Sequence, residues 1–412
     1  MRQAHPDRNI RLLFAYWFLR DFQLWIPVWI VFLTIDRGFS LTEVTVAEGL
    51  FLIGVLLLEV PTGAIADRYG RSKSMALGAF ILGLSVLVFA FTTSFTILLV
   101  SFLMWSVASA LMSGADMALM FDTLKSAGRE HQYERLVGRG VALSWAGVGI
   151  ATALGGPVAA IWSTQATIFI GAATCLVTAG LALAIWEPPH PREEKKPAYW
   201  GSIGAAFKEA WGVVDVRIVI ALAGTAFAAI EAVHYLVQPY LVDRDIEVGV
   251  AFSMLQVPIL LAGLVGALFT DRMVGAFGPR AFVIGPVLGA LGYIALSLSP
   301  GLAAYAALPM LMAVSACVEP MATGFINRRI GSERRATVLS IASMVRSLVL
   351  AALAPALGFT TDQYGLAQSF ALGGLIALAG GLVFGVPLAI RALRSGEPPE
   401  PPEPAAEPVA AG

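Results

Sequence analysis

The chain has 412 residues, of which 58% are hydrophobic and 13% charged, with a formal net charge of −1. A soluble domain averages about 25% charged residues and 45–50% apolar ones, so this composition excludes an ordinary globular protein and predicts an all-α polytopic membrane protein. The near-neutral balance offers nothing to nucleic acid, and the two cysteines, Cys175 and Cys317, both lie in apolar stretches. That excludes a disulfide framework or a zinc site and leaves them as small packing residues.

A span needs roughly 20 apolar residues. The apolar stretches fall at 10–35, 42–66, 74–93, 95–124, 137–161, 165–186, 216–242, 249–270, 281–299, 301–327, 336–360 and 366–390, twelve in all and six in each half. The N-terminus is polar and basic and runs into a first stretch long enough to span, which predicts a retained span rather than a cleaved leader. Placing the N-terminus in the cytoplasm puts 23 of the 27 Lys and Arg residues at or beside cytoplasmic segments, against Arg37 and Arg244 outside. Arg20 and Arg346 fall inside spans. This asymmetry predicts both termini inside.

The organisation follows: a first bundle over 1–187, a connecting loop over 188–214, a second bundle over 215–392 and a tail over 393–412. The loop carries Pro188-Pro189 and a run of charges, then an aromatic and basic stretch from Trp200 to Trp211 that suits a helix lying at the membrane interface. The tail is Glu, Pro and Ala, a composition that cannot build a core.

The connection after the second span reads Gly63, Asp67, Arg68, Gly70, Arg71, with Lys73 beyond. A degraded copy, Gly266, Asp271, Arg272, Gly278 and Arg280, follows in the second half, its aspartate 204 residues on. The pattern resembles the loop between helices 2 and 3 of the major facilitator superfamily of secondary transporters, although Ser72 stands where a second basic residue is usual. The resemblance covers the whole chain. It implies twelve helices in two pseudo-symmetric six-helix bundles, a central cavity lined by helices 1, 4, 7 and 10, and a functional monomer. It also implies that Gly63, Asp67, Arg68, Gly70, Arg71, Asp271 and Arg272 brace a cytoplasmic gate, with Asp67 pairing Arg71 or capping a helix. Glu59, one to two turns up the same helix, is a candidate for that network.

Gly156-Pro157 resembles part of a helix-5 motif of proton-coupled exporters and is a candidate hinge. The glycines usual after it are replaced by Ala159 and Ala160, and the helix-4 arginine of many drug–proton exchangers has no counterpart between Phe95 and Ser109.

A charge at the bilayer centre costs about 2.5–3.5 kcal/mol on insertion scales, so each ionisable residue there asks for a partner or water. The candidates for substrate and proton binding are Arg20, Asp21, Asp116, Glu231, His234, Glu319 and Arg346. Asp116 lies nine residues from Lys125, roughly 14 Å up a helix. Arg20 and Asp21 are adjacent and are expected to point about 100° apart. Glu231 and His234, three apart, are expected to share a face and exchange a proton.

No Walker-type loop, His-Glu-x-x-His or second histidine within a span appears, so neither ATP drive, cofactor, metal nor enzyme chemistry is expected. The expectation is an inner-membrane, proton-coupled transporter of a small organic molecule, with export favoured. Proton-driven uptake of an anionic metabolite and a transport-inactive sensor are the alternatives.

Overall fold

The structure, a computed structural model, describes residues 6–188, 211–299 and 301–394; the side chain of Asp67 is outside this description, as are the interfacial stretch before Trp211 and the tail after Arg394. The described residues are nearly all helical, with no strand among them. Among the described residues, ten helical stretches are long and apolar enough to cross a membrane. The longest, Val250–Leu298, is two helices, Val250–Phe277 and Ala281–Leu298, joined by a 3-10 turn at Gly278–Arg280.

The chain folds as two compact units. The first comprises residues 1–199 together with His234–Leu260 and Ser347–Ser369; the second comprises the remaining segments 200–233, 261–346 and 370–412. Lipid tails are as apolar as leucine, so helices in a membrane associate through close packing at small residues. In the first unit Gly140 lies against the Trp17 ring and Gly171 against the Trp25 ring, so closely that a Cβ on either would fall about 2 Å from ring carbons. A cluster around Trp25, Phe32, Phe89 and Phe102 fills this unit's interior. In the second unit, Val216 and Ile220 pack on Ile326, Val338 and Ile341.

Three of the expected spans are interrupted. The first ends its helix Pro6–Asp21 well before residue 35. Pro27 has no N–H to give and its ring excludes the preceding turn, so the backbone runs through irregular turns before Trp29–Val31 and a π-helical turn at Phe32–Asp36. The fourth breaks between Phe95–Met112 and Ala115–Lys125, where Gly114 takes a left-handed φ of +70° that costs glycine nothing. The seventh breaks between Ala228–Glu231 and His234–Asp243.

Candidate functional site

Several of the intramembrane charges stand at these breaks, whereas Glu319 and Arg346 lie within the helices Ala307–Asn327 and Ser332–Tyr364. Asp21 is the last residue of its helix, Asp116 stands in the first turn of Ala115–Lys125, and Glu231 closes Ala228–Glu231. In the first unit, Arg20 grips Asp21 through Nε and Nη2 at 3.1 and 2.9 Å and reaches Asp116 Oδ2 through Nη1 at 2.7 Å. The Trp17 indole N–H donates to the same oxygen at 2.7 Å, and the Met117 amide donates to Asp116 Oδ1. Asp116, with a side chain only 6% exposed, thus has both carboxylate oxygens hydrogen-bonded at a helix N-terminus. The expected divergence of Arg20 and Asp21 is corrected. Asp21 stands where the helix ends, and the long arginine stem folds back onto it.

In the second unit, Arg346 lies 3.3 Å from Glu231 Oε2 and 3.6 Å from Glu319 Oε2. This pairing is looser and more open, with the Glu231 side chain 31% exposed and Glu319 66%. Each unit therefore sets one arginine between two carboxylates and retains one acid in excess. His234 does not continue the helix of Glu231, because the turn at Ala232–Val233 separates them; its ring lies 3.7 Å from that of Tyr235.

The interrupted first span leaves backbone groups with no helical partner, which inside a membrane must be satisfied by protein. Gln238 does much of this: its Nε2 donates to the Ile26 carbonyl at 2.9 Å, and its Oε1 accepts from the amides of Ile30 and Val31. Gln256 donates to the Pro27 carbonyl, also at 2.9 Å. Nearby, the Gly156 amide donates to the Ser253 hydroxyl at 2.7 Å, and a Cβ on Gly156 would strike the Gly249 carbonyl. Asp362 accepts from the amides of Leu41 and Thr42. Together these contacts form a polar clasp within the first unit, tying its early helices to segments from late in the chain.

At the opposite end of Leu41–Tyr69, Gly70 turns the chain directly into Arg71–Ala90 with φ +109°, and Gly278 repeats the positive φ in the second unit. Arg71 forms an ion pair with Asp122, and its amide donates to Glu187 at 2.7 Å. The Arg68 guanidinium lies over the Tyr69 ring and Arg272 over that of Phe269, while Glu59, Gly63 and Asp271 are exposed. The fixed spacing from Gly63 to Lys73 is thus built around a one-residue turn. The acid of that spacing, Asp67, has a side chain outside the described residues, and Asp122 supplies the described partner of Arg71.

Residues 12–355 match the model of the Major Facilitator Superfamily. The chain belongs to that superfamily. The resemblance carried by Gly63–Lys73 is borne out, and the protein is a multi-pass membrane protein of a transporter family. It is 32% identical over 89 residues to an uncharacterized MFS-type transporter, YxaM, of Bacillus subtilis (strain 168); the match spans 22% of each chain, about a fifth of that relative's length. Similar solved structures are the nucleoside transporter NupG (TM-score 0.78, 14% identity, covering 93% of this chain and 99% of that one) and a bacterial homolog of the human lysosomal transporter Spinster (0.73, 16%, 96% and 98%). The peptide transporter POT follows at 0.69 and 14% identity, covering 96% of each chain. At these identities the likeness speaks for the superfamily fold.

Within that fold, sequence reasoning missed several polar residues, Asp362 and Ser253 among them. Asp122 and Glu187 sit near span ends, where a carboxylate is unremarked. Gln256 carries no charge to flag it. Glu48 sits seven residues into Leu41–Tyr69, and its Oε1 accepts from the Tyr235 hydroxyl at 3.4 Å. An acid inside an apolar span is itself the signal that was available.

Proposed function

We propose that this member of the superfamily is a secondary active transporter of a small organic molecule, working by alternating access with the proton as coupling ion. The observation that supports this is the arginine shared between two carboxylates, found in each unit. Two acids per cation leave an excess negative charge, which a proton or a cationic substrate group neutralises. An anionic substrate would meet arginines already paired. In this reading Arg20, Asp21 and Asp116 hold a tight, ionised cluster. Glu231, Glu319 and Arg346 form the exchangeable one, and His234 assists proton movement near Tyr235.

The chain is taken as a monomer without cofactor in the inner or plasma membrane, with twelve spans in two six-helix halves and both termini cytoplasmic. Glu59, Gly63, Asp67, Arg68, Gly70, Arg71, Asp271 and Arg272 serve the cytoplasmic gate. Gly156-Pro157 supports export as the favoured direction and lets its helix approach residue 249. The test is proton flux in proteoliposomes with an internal pH dye, across a panel of organic cations, neutral metabolites and anions. Substrate-dependent flux in the wild type, lost in Glu231→Gln, is expected. Flux retained in that variant removes Glu231 from the proton path, and flux with anions alone favours the uptake alternative.

A further inference from the structure

The carboxylates within the apolar helices are not equivalent. Asp21 and Asp116 share Arg20, Asp122 pairs with Arg71, and Glu231 and Glu319 share Arg346. Glu59 stands exposed toward its helix end. Glu48 is different. It lies seven residues from the start of Leu41–Tyr69, roughly 10 Å along the axis. It is half-buried, and among the described residues its hydrogen-bond partner is the Tyr235 hydroxyl. No cation stands within ion-pair distance of it among those residues.

Its surroundings belong to the clasp. A Cβ on the adjacent Gly49 would fall 2.6 Å from the Ala351 carbonyl, and one on Gly358 would fall 2.4 Å from Thr45 Oγ1, so the helix face bearing Glu48 is pressed onto Ser347–Tyr364. The other ionisable groups on the elements around it are engaged elsewhere. Asp362 caps Leu41 and Thr42, Asp243 pairs with Arg244, Asp36 accepts from Thr164, and Arg37 donates to the Ala90 carbonyl. Phe95–Met112, which packs along the same helix, carries no ionisable residue. On the helix of Glu48, Glu43 closes the Ser40 capping box; on the packed helix Ser332–Tyr364, Arg346 pairs with Glu231 and Glu319. Tyr240, Tyr364 and His234, whose ring lies tilted beside that of Tyr235, are the remaining ionisable groups named on these elements.

We infer that Glu48 is a second proton-binding site, one that takes up a proton as the clasp closes and gives it up as the clasp opens. The physical reason is desolvation without compensation. A carboxylate withdrawn from water and given no cation is costly as an anion, whereas the same group wetted by an opened clasp carries its charge at neutral pH at little cost. The proton balance is one taken up per closure, as carboxylate becomes carboxylic acid, and one released per opening. The inference rests on the proton-coupled transport reading and adds to it a site on the side of the molecule where the early helices meet His234–Leu260 and Ser347–Ser369.

The test uses the full chain in lipid nanodiscs, with Cys175 and Cys317 replaced by Ala and spin labels at Ile35→Cys and Tyr364→Cys, two exposed positions of the clasped end. Interspin distance is followed from pH 5 to pH 9. The expected result is a closed population in the wild type that falls as pH rises, by up to tenfold in the closed-to-open ratio per pH unit for a single-proton switch. Glu48→Gln stays closed throughout, Glu48→Asp keeps the dependence, and His234→Gln keeps it too. A wild type insensitive to pH, a Glu48→Gln variant that titrates like wild type, or loss of the dependence in His234→Gln alone each overturns the inference. Dye-reported flux in proteoliposomes is read separately. Flux without a Glu48-dependent distance change leaves the transport reading standing and removes this site, whereas a Glu48-dependent clasp without flux to any compound removes the transport reading alone.

Discussion

Removing the Asp362 carboxylate is expected to loosen the clasp by an amount that follows from a complete accounting of one helix end. A helix N-terminus leaves its first amides without helical partners. In Leu41–Tyr69, Ser40 Oγ accepts from the Glu43 amide and Glu43 returns the bond to the Ser40 amide at 2.9 Å, a capping box within one element. The two amides between, those of Leu41 and Thr42, go to Asp362 Oδ1 and Oδ2 at 3.1 and 2.8 Å, and the Thr42 hydroxyl joins them. Losing a helix cap costs about 1 kcal/mol, and a hydrogen bond to a charged group about 1.5–3 kcal/mol. The site is partly exposed, so water recovers some of that, and about 1.5 kcal/mol remains, roughly a tenfold fall in the closed-to-open ratio. Asp362→Ala should show that fall in the Ile35–Tyr364 interspin distance, and Asp362→Asn about half of it. Ser40→Ala, which breaks only the box inside the helix, should lower thermal stability without lengthening the distance. An unchanged distance distribution in Asp362→Ala refutes the reasoning.

Arg20→Ala strands Asp116 in a nearly closed environment, and breaking such a buried pair costs about 3–5 kcal/mol; a large fall in melting temperature is expected, partly recovered by adding Asp116→Asn. Arg346→Ala touches a more open cluster, so its stability loss should be below about 1 kcal/mol, with the effect appearing in flux instead. Gly140→Ala drives a methyl into the Trp17 ring, costs about 1–3 kcal/mol by overpacking, and should alter tryptophan fluorescence as the indole leaves Asp116. At the N-terminus, Arg129 holds the Asp7 carboxyl below the usual carboxylate range by hydrogen bonding and charge. A depressed acid contributes stability above its unfolded value, about pH 4, and loses it as pH falls through the lowered folded value. Asp7→Asn should therefore lower the melting temperature slightly at neutral pH, and the difference from wild type should vanish as pH falls below the lowered folded value.

The helices were legible because apolar runs of span length have few other solutions, and the Gly63–Lys73 turn was legible because Gly70 needs a positive φ that its type permits. The charges at mid-span were legible as costs awaiting partners, but their pairing was not. Composition does not show that Asp116 would receive Trp17 and Arg20 together, or that Arg346 would divide between Glu231 and Glu319. The helix breaks were half legible. Pro27 and Gly114 mark two of them, whereas Ala232-Val233 carries neither residue, so a continuous span was the natural expectation there. Gln238 is an uncharged polar residue in an apolar span, and its task of satisfying Ile26, Ile30 and Val31 depends on a break about 200 residues away. Long-range satisfaction of that kind is decided by tertiary packing and leaves no local pattern.

The central claim, proton-coupled movement of a small organic molecule, is tested most directly by dye-reported proton flux with radiolabelled solute uptake in the same proteoliposomes, wild type beside Glu231→Gln. The account predicts proton movement that requires solute in the wild type and is lost in the variant while the variant remains folded. Solute crossing the membrane with no accompanying proton movement contradicts it.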